Sequence, residues 1–270
     1  MIIVRLIGGL GNQLFQYALG RELAFRHDVK LLLDTSAFRT YKRHPNSLFN
    51  FNIKEPPASQ WQLLKTRLFS KITAVHEKEQ SFNPHVFDLP PNIYLTGYWQ
   101  SEKYFKETSS AIRQDITLKK TPNEKYFSML AKINGSNSIS LHIRRTNYLT
   151  IGLGIFEVIT TDYYRGAVVK IAERIDPPEI YVFSDDIGWA KRNLSFPFPT
   201  TFVSANNFPD YQELMLMAAC KHNITANSTF SWWGAWLNNN PKKIVVTPKR
   251  WFTDASRSDA DLIPSAWIRL

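Results

Sequence analysis

"SISLHIRRTNY", residues 138–148, is read first as a strand, because Ile139, Leu141 and Ile143 alternate with Ser140, His142 and Arg144. His142 and Arg144 then share a face, and Arg144 and Arg145 fall where the strand ends. Ligands of open α/β sheets bind at the carboxyl ends of strands. Guanidinium groups there offer a rigid fork of donors that matches phosphate oxygens two at a time. An arginine pair more often makes salt bridges or lies solvated, so the other strand ends must decide what these two hold.

Downstream the text alternates strand and helix. "EIYVFSDD" ends in Asp185 and Asp186, "TTFVSAN" follows, and a helix runs through "DYQELMLMAACKH". "NITANST" then places Asn227, Ser228, Thr229 and Phe230 before an apolar helix through "SWWGAWLNN", and "KKIVVTP" reads as one more strand. This order predicts a parallel sheet covered on both faces. Ser228 and Thr229 are favoured helix caps, but a helix N-terminus also presents free N–H groups to phosphate. Glu213 has a structural explanation of its own, since Asp210 and Glu213 have capping-box spacing.

The N-terminal part starts the same way. "MIIVRLIGGLGNQ" reads as strand and glycine turn, and "LFQYALGRELAFRH" as a helix; "VKLLLD" is a second strand ending in Asp34. Gly9 and Gly11 let backbone approach a ligand, and Asn12 and Gln13 follow them. Between 36 and 93 only a helix over 59–74 stands out, before "IYLTGYWQSEKYF" resumes strand then helix. The Gly, Asn and Ser cluster at 132–138 marks a linker. The expected organisation is α/β, with two Rossmann-like domains facing a cleft, residues 1–135 and 136–270.

The 270 residues carry 33 Lys+Arg against 23 Asp+Glu, a net of +10 that favours phosphate-bearing partners. The single cysteine, Cys220, excludes a disulfide framework and fits a reducing compartment. The apolar start is too short for a signal peptide or membrane span, so the expected location is the cytoplasm. In "WQLLKTRLFSKI" a stripe of Trp61, Leu64, Leu68 and Ile72 lies beside Lys65, Arg67 and Lys71. It suits an anionic membrane surface, although packing on its own domain is the favoured reading.

"GGLGNQLFQYALGRELA", "GYWQSEKYF", "HIRR", "YVFSDD" and "CKHNITANSTFSWWGAWL" together resemble the bacterial α-1,2-fucosyltransferases. That resemblance implies a metal-independent, inverting enzyme of GT-B type with no cofactor. It would move L-fucose from GDP-β-L-fucose to O2 of a β-galactose in an oligosaccharide, which could be lipid-linked. The 1–135 domain would face the acceptor, with Gly9, Gly11, Asn12 and Gln13 at the cleft, and 136–270 would hold GDP-fucose.

The resemblance also assigns roles. Arg144 binds the diphosphate and leads in catalysis, His142 helps hold guanine or ribose, and Arg145 supports the site. Asp185, Asn227, Ser228, Thr229 and Phe230 line the nucleotide pocket, and Glu213 stands where relatives carry an Asp that pairs with guanine. The chain departs from "HIRRGDY" by having Thr146 and Asn147. Glu157 is the first candidate for the base, with Asp185 behind it and Asn12 as a further catalytic candidate.

Two rival readings are weaker. A dinucleotide site would need glycine where Leu14 stands. Asp259-Ala260-Asp261 is formally a D-x-D metal motif, but it lies in a polar segment, and the histidines show no ligand spacing. Nucleic acid is not an expected partner.

Overall fold

The computed structural model describes residues 1–40, 43–69, 72–146, 154–254 and 256–270. It divides into one unit of Met1–Lys120 with Ser258–Ile263 and another of Thr121–Arg257 with Pro264–Leu270.

In the first unit β1 (Ile2–Arg5), β2 (Leu31–Asp34), β3 (Thr73–His76) and β4 (Ile93–Thr96) form a parallel sheet in the order β2-β1-β4-β3. Ile2, Ile3 and Val4 are buried on both faces of β1, as expected where a parallel sheet is covered above and below. Gly8, at φ +88°, turns the chain into helix α1 (Leu10–Arg26). A β-carbon there would also come 2.7 Å from the Asn12 amide nitrogen, but it is the positive φ that calls for glycine. Helices α2 (Gln60–Phe69) and α3 (Ser109–Asp115) complete the unit.

The apolar stripe of α2 does not pack inward. Trp61 is 71% exposed and Leu64 46%, which overturns the expectation of a helix buried on its own domain; the side chain of Leu68 lies outside the described residues. Of the expected helix over 59–74, Gln60–Phe69 is helical, whereas Thr73 and Ala74 belong to edge strand β3, largely exposed and without an apolar alternation; residues 70 and 71 lie outside the described residues.

The second unit opens with α4 (Glu124–Asn134), which packs on β5 (Asn137–Ile143) and on α7 (Asp210–Ala219). The division therefore falls after Lys120 and not at 135. Gly135 is the C-cap of α4, its N–H bonded to the Ala131 carbonyl, and the turn read as a linker joins a helix to its own sheet. The unit's other elements are α5 (Thr161–Ala172), β6 (Pro178–Ser184), α6 (Ile187–Asn193), β7 (Thr200–Phe202), β8 (His222–Ile224), α8 (Thr229–Leu237), β9 (Val245–Thr247) and β10 (Ile268–Arg269).

All six strands are parallel, in the order β10-β9-β8-β5-β6-β7. Counted from β5 this is the 3-2-1-4-5-6 arrangement of a doubly wound nucleotide-binding sheet, and the order reverses between β5 and β8. Ile139, Leu141, Ile143, Val182 and Ile224 form the core with α5, each contributing about 1.5–3 kcal/mol by burial. The two serines on the polar face of β5 are buried as well and are satisfied internally: Asn223 Nδ2 donates to Ser140 Oγ at 2.7 Å and the Lys221 N–H to Ser138 Oγ at 3.1 Å. Trp232 and Trp233 are fully buried and Trp236 nearly so, as aromatic residues at helical spacing usually are.

Candidate functional site

Strands β5 and β6 pair in register, with Ile143 opposite Ser184, so Arg144 and Asp185 leave the sheet side by side. The Asp185 carboxylate binds the arginine turn at four points. It accepts the N–H of Arg145 at 2.9 Å, the N–H of Thr146 at 3.2 Å and the Thr146 hydroxyl at 2.6 Å, and it pairs with Arg144 Nη1 at 3.2 Å. It is thus a strut for the turn and not a free ligand or base. Thr146 supplies one of the strut's bonds through a hydroxyl that glycine lacks; Asn147 lies outside the described residues.

Arg145 is turned to structural use. Its guanidinium lies 3.8 Å from the Trp189 ring centroid and its Nε is 3.7 Å from Asp186, whose side chain also caps α6 at the Trp189 N–H. Cation–π stacking and the ion pair hold it. Arg144 keeps a side-chain exposure of 24% at the point where the strand order reverses.

His142 is buried at the end of β5, its ring 5.6 Å from that of Phe230. Burial pushes its pKa down to about 3; the negative charge of Asp185 opposes this and the positive charge of Arg144 adds to it. The imidazole is therefore neutral at pH 7, and its Nδ1 makes no hydrogen bond, leaving one polar atom at the strand end for a ligand.

On the other side of the reversal, Ser228 occupies the N-cap of α8, yet its side chain makes no capping bond. The capping explanation for this serine is removed, while Thr229 and half-buried Phe230 start the helix. Asn227 belongs to the fold. Fully buried, it donates to the carbonyls of Glu157 at 2.8 Å and Trp251 at 3.0 Å. Those bonds, with the Phe156–Phe252 bridge, fasten Glu157 beyond β8 and β9. Its carboxylate is 3.3 Å from Arg250 Nη2 and partly exposed.

Glu213 lies near the ends of β6 and β7. It hydrogen-bonds Ser204, whose Oγ accepts the Ser184 N–H at 2.9 Å. The expected capping box is absent, because Pro209 is the N-cap and Asp210 already stands inside the helix. Burial raises the Glu213 pKa to about 7, with the Ser204 bond opposing and the charge of Asp210 reinforcing the shift.

In the first unit, Asn12 Oδ1 accepts from Gln100 Nε2 at 3.0 Å. Gln13 is a fully buried staple, donating to the carbonyls of Gly8 and Pro45 and accepting from the N–H groups of Ser47 and Leu48. Its expected place among ligand-facing residues is therefore corrected. Gly11 is buried inside α1, whereas Gly9 is its N-cap. Asp34 is spent on the Ser36 N–H and the Tyr94 hydroxyl, which retires the dinucleotide reading. Asp261 pairs with Lys103 and accepts the Phe82 N–H, so that acid of the formal D-x-D ties down its own segment. Among the described residues no three His, Cys, Asp or Glu side chains are grouped to hold a metal ion.

Comparison with known proteins agrees with this architecture. The chain is 31% identical to an alpha-1,2-colitosyltransferase of Escherichia coli, over all of this chain and 99% of that protein. It is also 31% identical to the O-antigen biosynthesis glycosyltransferase WbnK of Escherichia coli, over 98% of this chain and 99% of the other. A solved Arabidopsis thaliana FUT1 variant in complex with GDP shares the fold at TM-score 0.54 and 11% identity, over 99% of this chain and 75% of that one. The family model for glycosyl transferase family 11 matches residues 1–270, and the chain belongs to that family.

Proposed function

We propose that this protein is an inverting galactoside 2-α-L-fucosyltransferase that uses GDP-β-L-fucose. The observation that carries the reading is Arg144 at the end of β5, at the reversal of a nucleotide-binding sheet whose next strand, β8, leads into α8 with its uncapped Ser228 N-terminus. Diphosphate oxygens suit both groups. In the proposed reaction O2 of the acceptor attacks the anomeric carbon opposite GDP and the bond to the diphosphate oxygen breaks. Arg144 and the helix end neutralise the departing charge, the largest catalytic contribution in most such sites. Glu157 takes the O2 proton, its carboxylate held by Arg250. Neutral His142 and Phe230 contact the nucleoside, and Glu213 accepts the N–H groups of guanine. No metal takes part.

The colitosyltransferase relative supports a second donor. Colitose is L-fucose without its 3-hydroxyl, and only a site that hydrogen-bonds that hydroxyl would reject it strongly. The deciding experiment incubates the protein with GDP-fucose or GDP-colitose and a panel of β-galactosides in EDTA, with mass readout. A deoxyhexose gain removed by an α-1,2-specific fucosidase is expected. Gain only from GDP-colitose would reassign the donor, and activity restored only by manganese would overturn metal independence.

The exposure of Trp61 and Leu64 beside Lys65 supports peripheral contact with an anionic bilayer; no helix among the described residues is long and apolar enough to cross one. Flotation with phosphatidylglycerol vesicles is expected, and loss of it in the Trp61→Ala, Leu64→Ala double variant. Equal flotation of that variant would refute the contact.

A further inference from the structure

Leu141, Ile224 and Val246 stand side by side in the register of β5, β8 and β9, and all three belong to the core beneath α5. The next residue of each strand therefore turns to the opposite face, and these residues are His142, Thr225 and Thr247. The Thr225 N–H still bonds to the Val246 carbonyl at 2.9 Å, which carries the ladder through this level. His142 is 4% exposed and both threonines 0%.

Each of the three keeps a buried polar atom without a hydrogen-bond partner: His142 Nδ1, Thr225 Oγ1 and Thr247 Oγ1. One row earlier the same face is closed. There Asn223 Nδ2 donates to Ser140 Oγ and to the Met217 carbonyl, while Asn223 Oδ1 accepts from Asn238 at 2.8 Å. Buried polar atoms are rarely left alone, and three in one row point to an occupant. Adjacent strands lie about 4.8 Å apart, a gap that one water spans. The row is polar and offers the several partners that a buried water needs.

We propose that this row is an internal hydration site in which water links the Thr247 and Thr225 hydroxyls to His142 Nδ1, and that Thr225 is the positioning residue that keeps the His142 proton on Nε2. A neutral imidazole has one donor and one acceptor nitrogen, and the bond made by one nitrogen sets the role of the other. With Nδ1 accepting, each hydroxyl proton of the row points toward an acceptor nearer the ring. With Nδ1 donating, the chain runs the other way and leaves the Thr247 proton without an acceptor at its far end. A buried donor without an acceptor is the rarer defect. The Nε2–H is then a fixed donor, suited to an oxygen of the nucleoside; that consequence alone rests on the function reading above.

The test is nitrogen-15 NMR of the ligand-free protein labelled at histidine, with His142 picked out from the six histidines by its loss in His142→Gln. Wild type should show a single tautomer, with Nε2 protonated and Nδ1 hydrogen-bonded. Thr225→Val keeps the side-chain shape and removes the hydroxyl, so it should shift the Nδ1 signal and mix the tautomers; Thr225→Ser should restore both. Thr225→Val should also lower Tm by about 3 °C, because it leaves the water's other partners unsatisfied, whereas relief of a solitary buried hydroxyl would raise Tm. A protonated Nδ1 in wild type, a His142 spectrum indifferent to Thr225→Val, or a raised Tm overturns the proposal. The wild-type spectrum decides the tautomer even if the valine variant fails to fold. Calorimetry with GDP tests the consequence separately. Affinity should fall about threefold in Thr225→Val, as the competent tautomer becomes a fraction of the whole, and recover in Thr225→Ser. If wild type binds no GDP, the nucleoside reading fails on its own, and the spectra still decide the hydration site.

Discussion

Arg144→Ala is expected to lower kcat by about a thousandfold, at the upper end of what removal of one preorganised charge stabiliser costs. The size follows from the position. Arg144 leaves the central strand of its sheet, and the Asp185 strut fixes the turn at two N–H groups and a hydroxyl. In the proposed role the guanidinium would therefore meet the diphosphate without first having to be ordered. Its interaction grows as the sugar–oxygen bond breaks and charge accumulates on GDP, so the loss should fall on kcat, with a smaller change in GDP affinity. Arg144→Lys should recover little, because an ammonium cannot pair with two oxygens in one plane or keep the contact with Asp185 in the same geometry. Single-turnover transfer from GDP-fucose, with GDP affinity measured in parallel, checks both parts. A lysine variant near wild-type turnover would remove Arg144 from the leading role.

Much of this arrangement was legible in the sequence, and the exceptions have physical causes. The alternation of Ile139, Leu141 and Ile143 placed Arg144 at a strand end, and the apolar run after Ser228 placed a helix start opposite. What no linear pattern carries is register. That Ile143 stands opposite Ser184, and so puts Asp185 against the arginine turn, emerges only when β5 and β6 pair; the acid was accordingly read as a ligand. Gln13 differs from its expectation for a related reason. It is an amide beside a glycine turn and a helix start, and only the closed fold shows its hydrogen bonds used internally, as it shows the Asn227 amide nitrogen engaged by two carbonyls.

Helix α4 was a different case, because its signal was present: Tyr126, Met129 and Ile133 follow helical spacing, and Asn123 caps the Tyr126 N–H. Attention to Gly135 as a linker residue hid a helix C-cap. In α2 the stripe was read correctly, but periodicity cannot say which surface an amphipathic face meets.

Glu213→Gln is expected to weaken GDP binding by about a hundredfold at pH 8, and the reason predicts its pH dependence. An ionised carboxylate accepts two N–H groups from guanine, each such charge-assisted bond contributing about 1.5–3 kcal/mol. An amide turns one of those acceptors into a donor facing a donor. With its pKa raised from 4.5 to about 7 by burial, Glu213 is half protonated in the free protein at neutral pH and, in the proposed role, would have to lose that proton to bind the base. GDP affinity should therefore fall as pH drops below 7, approaching tenfold per unit. Stability without ligand moves the other way. Between pH 4.5 and 7 the folded protein holds a proton that the unfolded chain has released, so stability declines as pH rises through that window. Calorimetry of GDP binding and thermal unfolding from pH 5 to 8 read the two trends separately, and in Glu213→Gln both contributions should vanish together. Retention of the steep GDP dependence in that variant would mean that another group takes up the proton, and would release Glu213 from guanine.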